Sequence, residues 1–473
     1  MDVPKGDIVN EGSTLFARFA KRAPLSVMTR IVLENLVGAA QLDSVFRDVA
    51  QRQYTNQLLF STCAELLVEV TLFGCSSVNA AYLRNQEDIP VSVVSVYEKL
   101  QRVEPAVCEA LVARTADRAQ GVITELKAHR PEPIAGYRLR IGDGNVLGRS
   151  ERRLSVLRGT NVAALPGQSV VLFDYATGLI SRIIPCEDAH VSEKRLMLGL
   201  LPHLQPGDLF MGDSAYATQE FMQGIRDRKA SFLVRHHSSL KLHPAPKGKG
   251  TAPRKRVGSC RTGTIYEQSV TTADGQKFRA ITLERGRSQK PLRNGKRTLT
   301  LLTNVPRKKA SAKKLLALYL KRWKIEEAFR QLTQDLSCEV NTLGYPKAAL
   351  LAFSLAVLAF NCLACVKATL ASRHGWEKVD AELSSYHLAS EVKRTFEGMC
   401  IALSEETWEP YAALDASSLA AALKDLAATL SWGRYRKAQR GPKKSVRKSC
   451  KRHQHVATAK LLTKADDEKH RPK

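Results

Sequence analysis

Asp143, Asp213 and Glu326 are the acidic residues whose setting in this sequence suggests chemistry. Asp143 follows the apolar run YRLRIG (137–142) and Asp213 follows LFMG (209–212), so each carboxylate is delivered by a short strand-like segment. A strand-end aspartate serves equally well as a turn former or a helix N-cap, so neither defines a site by itself. In LLALYLKRWKIEEAFRQL (315–332), Tyr319, Arg322 and Glu326 are spaced three and four apart. At about 100° per residue they form one stripe of a predicted helix, while Leu318, Ile325, Phe329 and Leu332 fall on an adjoining face that can pack on a sheet. A solvated Arg322–Glu326 pair worth little is the plain alternative. The chemistry that would use such carboxylates is phosphodiester cleavage: two hard divalent ions about 4 Å apart, bound by oxygens from separated segments, activate water or a 3′-hydroxyl and relieve charge on the leaving oxygen.

Other reactive residue types are less specific. His236 and His237 follow a strand and read best as solvated loop histidines. Cys362 and Cys365 have the spacing of half a zinc site, but no second pair completes it and they lie inside an apolar helix, which favours packing. Trp323 beside Arg322 can stack on a base or pack internally.

The elements that must position these groups fall into blocks. Residues 13–130 show helical three- and four-residue spacing throughout, and 90–103 (PVSVVSVYEKLQRV) reads as a recognition helix or as an ordinary packing helix. Strand-like runs follow at 137–141, 169–173 and 179–184, then a helix at 191–204, a strand at 209–212, a helix at 219–228 and a strand at 231–234. The order β-β-β-α-β-α-β predicts an α/β, RNase H-like mixed-sheet core. The resulting organisation is a helical N-terminal DNA-binding domain (1–133), the first part of the core (134–235) and an inserted β subdomain (236–305). The second part of the core with the glutamate helix (306–370), a helical C-terminal region (371–433) and a basic tail (434–473) complete it.

Composition sets the partner class. Lys and Arg number 73 against 46 Asp and Glu, a net charge of +27, while 44% hydrophobic content is that of a folded protein. Such a surplus points to a polyanion, nucleic acid first. The basic loop 241–261 and the ten unopposed charges of 434–452, Lys443 and Lys444 among them, are suited to tracking phosphates without reading sequence. Ten scattered cysteines suggest a reducing compartment, and MDVPKGDIVNEG lacks the basic start and apolar core of a signal peptide. Residues 348–366 carry no charge over a length that could span a bilayer, but their alanines, Ser354 and Asn361 fit a helix covered by protein on every side. No membrane association is expected.

The segment around Glu326 resembles the signature of IS4-type DDE transposases: a tyrosine, an arginine three on, a glutamate four beyond, and a lysine seven later. Tyr319, Arg322 and Glu326 match. The lysine is replaced by Thr333, and Arg330 on the same stripe could supply the charge. IGDG around Asp143, GDSAY around Asp213, the β insertion before the glutamate and the terminal RGPKKSVRK extend the resemblance over essentially the chain. It implies that Asp143, Asp213 and Glu326 hold two Mg2+ (or Mn2+) ions. Tyr319 and Arg322 would hold a phosphate or displaced base, with Trp323, Arg330, Lys443 and Lys444 as further DNA contacts. It further implies double-stranded DNA partners (transposon ends and target), a homodimer in the DNA complex, and a cytoplasmic, nucleoid-associated setting in a bacterium. An RNase H-like nuclease without strand transfer and an inactive DNA-binding derivative are the alternatives.

Overall fold

The structure is a computed structural model that describes residues 14–51, 57–147, 167–188, 191–286, 289, 291, 295–338, 340, 343 and 345–438. The chain opens with seven helices, α1 (Thr14–Arg22), α2 (Pro24–Val37), α3 (Ala39–Val49), α4 (Phe60–Thr71), α5 (Val78–Arg84), α6 (Val93–Leu100) and α7 (Pro105–Glu125). Local chemistry sets several starts. Pro24 and Pro105 occupy first-turn positions where no amide is needed, and the Ser77 and Ser92 hydroxyls accept from the backbone N–H groups of Ala80 and Ser95. The segment read as either a recognition helix or an ordinary packing helix contains α6, which buries Val96 and Leu100 and exposes Val94.

Five strands follow: β1 (Arg138–Val146), β2 (Gln168–Asp174), β3 (Ile180–Cys186), β4 (Asp208–Gly212) and β5 (Ser231–Arg235). They lie side by side in the order β3-β2-β1-β4-β5, with β1, β2 and β3 antiparallel in sequence and β1, β4 and β5 parallel. This is the RNase H-like arrangement expected from the element order. One helix of that expectation is corrected. Residues 191–204 form a single α-turn, α8 (Glu193–Leu196), followed by a 3-10 segment (Met197–His203) that contains Pro202. A proline there removes the hydrogen bond a longer α-helix would need. Gly199 packs tightly under Ile184, where a Cβ would lie 3.0 Å from Ile184 Cγ2. The later crossover helix is α9 (Gln219–Asp227), capped by Thr218.

The insertion extends the core sheet. β12 (Thr298–Thr303) pairs antiparallel with β5, and β11 (Lys277–Glu284), β10 (Gly263–Thr271) and β6 (His243–Pro244) follow outward, with β9 (Lys255–Cys260) also on β10. The short strands β7 (Pro246–Lys247) and β8 (Gly250–Thr251) form a separate ribbon. A buried ion pair ties this extension to the helix that follows: Arg279 Nε meets Glu267 Oε1 at 2.7 Å, while Arg279 Nη1 donates to the carbonyls of Val305 and Ala310. The connection into α10 (Ala312–Tyr319) is thereby held from the sheet side.

One face of the sheet and most helices share a single apolar core, with α12 (Pro346–His374) at its centre. Its charge-free stretch is entirely buried, packed by α2, α4, α7, β3 and the C-terminal helix α16 (Ala416–Ala428), as a helix covered by protein should be. The remaining helices are α11 (Trp323–Gln334), α13 (Trp376–Glu382), α14 (Ser385–Ala402) and α15 (Glu409–Ala412). The opposite face carries a second core of Phe210, Tyr216, Phe221 and Phe232 beneath α9 and the 3-10 segment.

Candidate active site

Asp143 lies within β1, not beyond its end. Residues 142–146 keep pairing with β2, Asp143 opposite Val171, whereas the parallel pairing with β4 stops at Ile141 opposite Met211. The β4 side of β1 is therefore open where Asp143 stands, and β4 ends one residue before Asp213. Asp213 also keeps its turn-forming role, accepting from the N–H of Ala215 at 2.7 Å.

The segment of Tyr319, Arg322 and Glu326 is not one helix. α10 ends at Tyr319, a 3-10 turn covers Leu320–Arg322, and α11 begins at Trp323. Neither proline nor glycine forces this break. Instead the turn is drawn onto the sheet by its contacts: Lys321 Nζ donates to Tyr175 Oη at 2.9 Å, and Arg322 Nη1 reaches Asp143 Oδ2 at 3.1 Å. Arg322 Nη2 meets Glu326 Oε1 at 2.5 Å, so one guanidinium bridges carboxylates that are far apart in sequence. The surface-pair alternative thus accounts for half of what Arg322 does.

Burial pushes the Asp143 carboxyl up to about 7. The Arg322 guanidinium opposes the shift, while Asp213 and Glu193 reinforce it. The Tyr319 ring is packed in the core, 8% exposed, and burial raises its phenol to about 12, which leaves a neutral hydrogen-bond donor beside Arg322 and the aspartates. Glu193, at the start of α8, was not singled out from sequence, where it reads as a first-turn helix acid. The structure sets it beside Gly144, on the opposite face of β1 from Asp143.

Other residues fall elsewhere. Arg330 is exposed and opens onto a cavity of about 760 Å3 on the far side of α11, lined also by Arg130, Lys324, Lys367, Trp376 and Asp380. Arg330 lies eight residues beyond Arg322, about 80° round the helix at about 100° per residue, and so turns away from the Arg322–Glu326 pair. The side chains of Trp323 and Thr333, and all of Lys443 and Lys444, lie outside the described residues. His236 Nε2 pairs with the Leu240 carbonyl and His237 Nδ1 with Ser239 Oγ, both within their own loop, and Cys362 and Cys365 are core residues of α12.

Among the described residues no three His, Cys, Asp or Glu side chains are gathered closely enough to cage an ion as they stand. The donor set nonetheless fits a hard divalent cation. It is all carboxylate oxygen from separate elements, and the positive charge of Arg322 already occupies the space between Asp143 and Glu326.

The strand order and directions are those of an RNase H-like sheet, with two aspartates on neighbouring strands and a glutamate on a following helix. Residues 168–362 match the family model of the transposase DDE domain, a span that includes Asp213 and Glu326 and begins after Asp143. Among solved structures, the chain is similar to the piggyBac transposase in its synaptic complex with hairpin DNA, at 8% identity and a TM-score of 0.40, over 84% of this chain and 86% of that one. No curated protein matches the sequence.

Proposed function

We propose that this protein is a DDE transposase that binds the terminal inverted repeats of a mobile element, cleaves DNA at them and joins the 3′-hydroxyl ends to target DNA. The observation that carries the reading is the Arg322 bridge, which joins Asp143 and Glu326 in the structure across 183 residues of sequence. Asp213 at the neighbouring strand end, the domain match and the +27 charge support it. Asp143, Asp213 and Glu326 would hold two Mg2+ or Mn2+ ions, which supply an activated oxygen nucleophile and charge relief at the scissile phosphate.

The chain's own residues then do the positioning. Arg322, released from its two carboxylates, has a planar fork that matches a phosphate bidentately, one helical turn from Glu326. Tyr319 is a neutral donor at the same spot, and Lys321, anchored on Tyr175 Oη, adds positive charge beside it. The IS4-type relationship, a homodimer on paired ends and a bacterial, nucleoid-associated setting belong to the same proposal.

The test is a plasmid carrying the DNA that flanks the coding region, together with duplexes supplied with pre-cut 3′-hydroxyl ends. The parent protein is expected to form joined products only with divalent metal, and Asp143→Asn to lower the rate roughly a thousandfold or more while leaving DNA binding intact. Hydrolysis without any joined product would show a nuclease instead.

A further inference from the structure

We propose that Glu193 is a fourth carboxylate of the metal centre, reaching the Asp143–Asp213 edge from the opposite face of the sheet through the gap left by Gly144. The proposal rests on the reading of Asp143, Asp213 and Glu326 as metal-binding residues and adds a ligand that the triad does not contain.

The approach is made possible by a missing side chain. A Cβ built on Gly144 would lie 2.7 Å from both Cδ and Oε1 of Glu193, so the carboxylate occupies the space where any other residue would put its side chain. Gly144 carries no positive φ, so what its missing side chain provides is room for this close approach, which a larger residue would take from the flexible end of Glu193. The Gly144 N–H is directed at Asp143 Oδ1 at 3.1 Å and also favours the charged form of Glu193, which sets the two carboxylates around one backbone donor. Glu193 and Asp213 in turn feel each other's charge.

A second feature points into the same space. Tyr216 is completely buried beneath β4, its ring close against Gly212, and its hydroxyl is directed at the Glu193 carboxylate, whose charged form it favours. Around it stand the acidic groups Glu193, Asp143 and Asp213, while Arg322 is engaged by Asp143 and Glu326. A divalent cation held by Glu193 and the aspartates would neutralise this cluster, with Tyr216 orienting the Glu193 carboxylate for that role.

Two variants separate this from a structural role. Glu193→Gln removes the charge while keeping the shape. Gly144→Ala leaves Glu193 in the chain but displaces its carboxylate, the flexible end of a side chain, at small expense to folding. Mn2+ titration of the full-length protein, followed by the electron paramagnetic resonance signal of free Mn2+, reads metal binding without reference to activity, with circular dichroism reporting the fold. We expect both variants to remain folded and to weaken Mn2+ binding at one site by tenfold or more, with Asp143→Asn weakening it at least as much. Parent-like affinity and stoichiometry in Glu193→Gln, with binding lost in Asp143→Asn, would overturn the fourth ligand and leave the triad standing. Parent-like binding in Asp143→Asn would overturn the triad and this inference with it.

Discussion

Arg322 is where the site's electrostatics are decided. Its two nitrogens hold Asp143 at 3.1 Å and Glu326 at 2.5 Å, with roughly a fifth of its own side chain exposed, so the pairs are partly desolvated and worth more than surface contacts. Removing the guanidinium takes from both carboxylates the positive partner they share. Arg322→Ala is therefore expected to lower the stability of the metal-free protein by about 1–3 kcal/mol. Millimolar Mg2+ or Mn2+ should recover more of that stability in the variant than it adds to the parent, because the ion takes over the role of the guanidinium. Thermal unfolding with and without metal checks both statements, and equal metal-induced shifts in the two proteins would show that Arg322 does not stand where the cation binds. This residue was legible in sequence through its spacing from Tyr319 and Glu326. Its link to Asp143 was not, since spacing along a helix carries no information about which strand the helix meets.

Among the elements, α12 shows how far composition alone can go. Its uncharged length is ambiguous between membrane and core, and its polar residues tip the balance toward core. The structure supplies the reason for one of them. Asn361, fully buried, accepts from the N–H of Ile180 at 2.9 Å and donates to the carbonyl of Ile180 at 3.0 Å. β3 is the outer strand of the sheet, so those two backbone groups would otherwise face α12 unpaired. Asn361→Leu is expected to destabilise the protein by about 2–5 kcal/mol, since two buried groups each lose a partner. Chemical denaturation measures it, and a change below about 1 kcal/mol would show that water replaces the amide. The break at Leu320–Arg322 and the shortened helix at α8 mark the limit of periodicity. In the first, tertiary ion pairs override a continuous helical pattern; in the second, Pro202 interrupts an apolar run whose spacing is otherwise helical. The place of Glu193 is not legible in the sequence for a related reason: Gly144, which it approaches, lies 49 residues away and signals only by lacking a side chain.

At the scale of the whole molecule, order along the chain gave the five-strand core, but the joining of the insertion to the sheet edge and the shared core of the N-terminal helices with α12 and α16 required long-range pairing that no local pattern encodes. Charge works differently, because it acts without a fixed geometry and can be judged from sequence. The net +27 is spread over the chain, yet residues 439–473 hold twelve Lys and Arg against three acids, beyond the described residues. If this tail tracks phosphates, each contact releases counterions, and the logarithm of the DNA association constant falls with the logarithm of salt concentration by about 0.9 per phosphate neutralised. Replacing Lys443, Lys444, Arg447 and Lys448 together by Gln should then reduce that slope by up to about 3.6 and weaken binding of specific and unrelated duplexes alike. Fluorescence anisotropy across a salt series reads both quantities. An unchanged slope would remove the tail from the interface, and a loss confined to one DNA sequence would assign these four residues to base recognition instead.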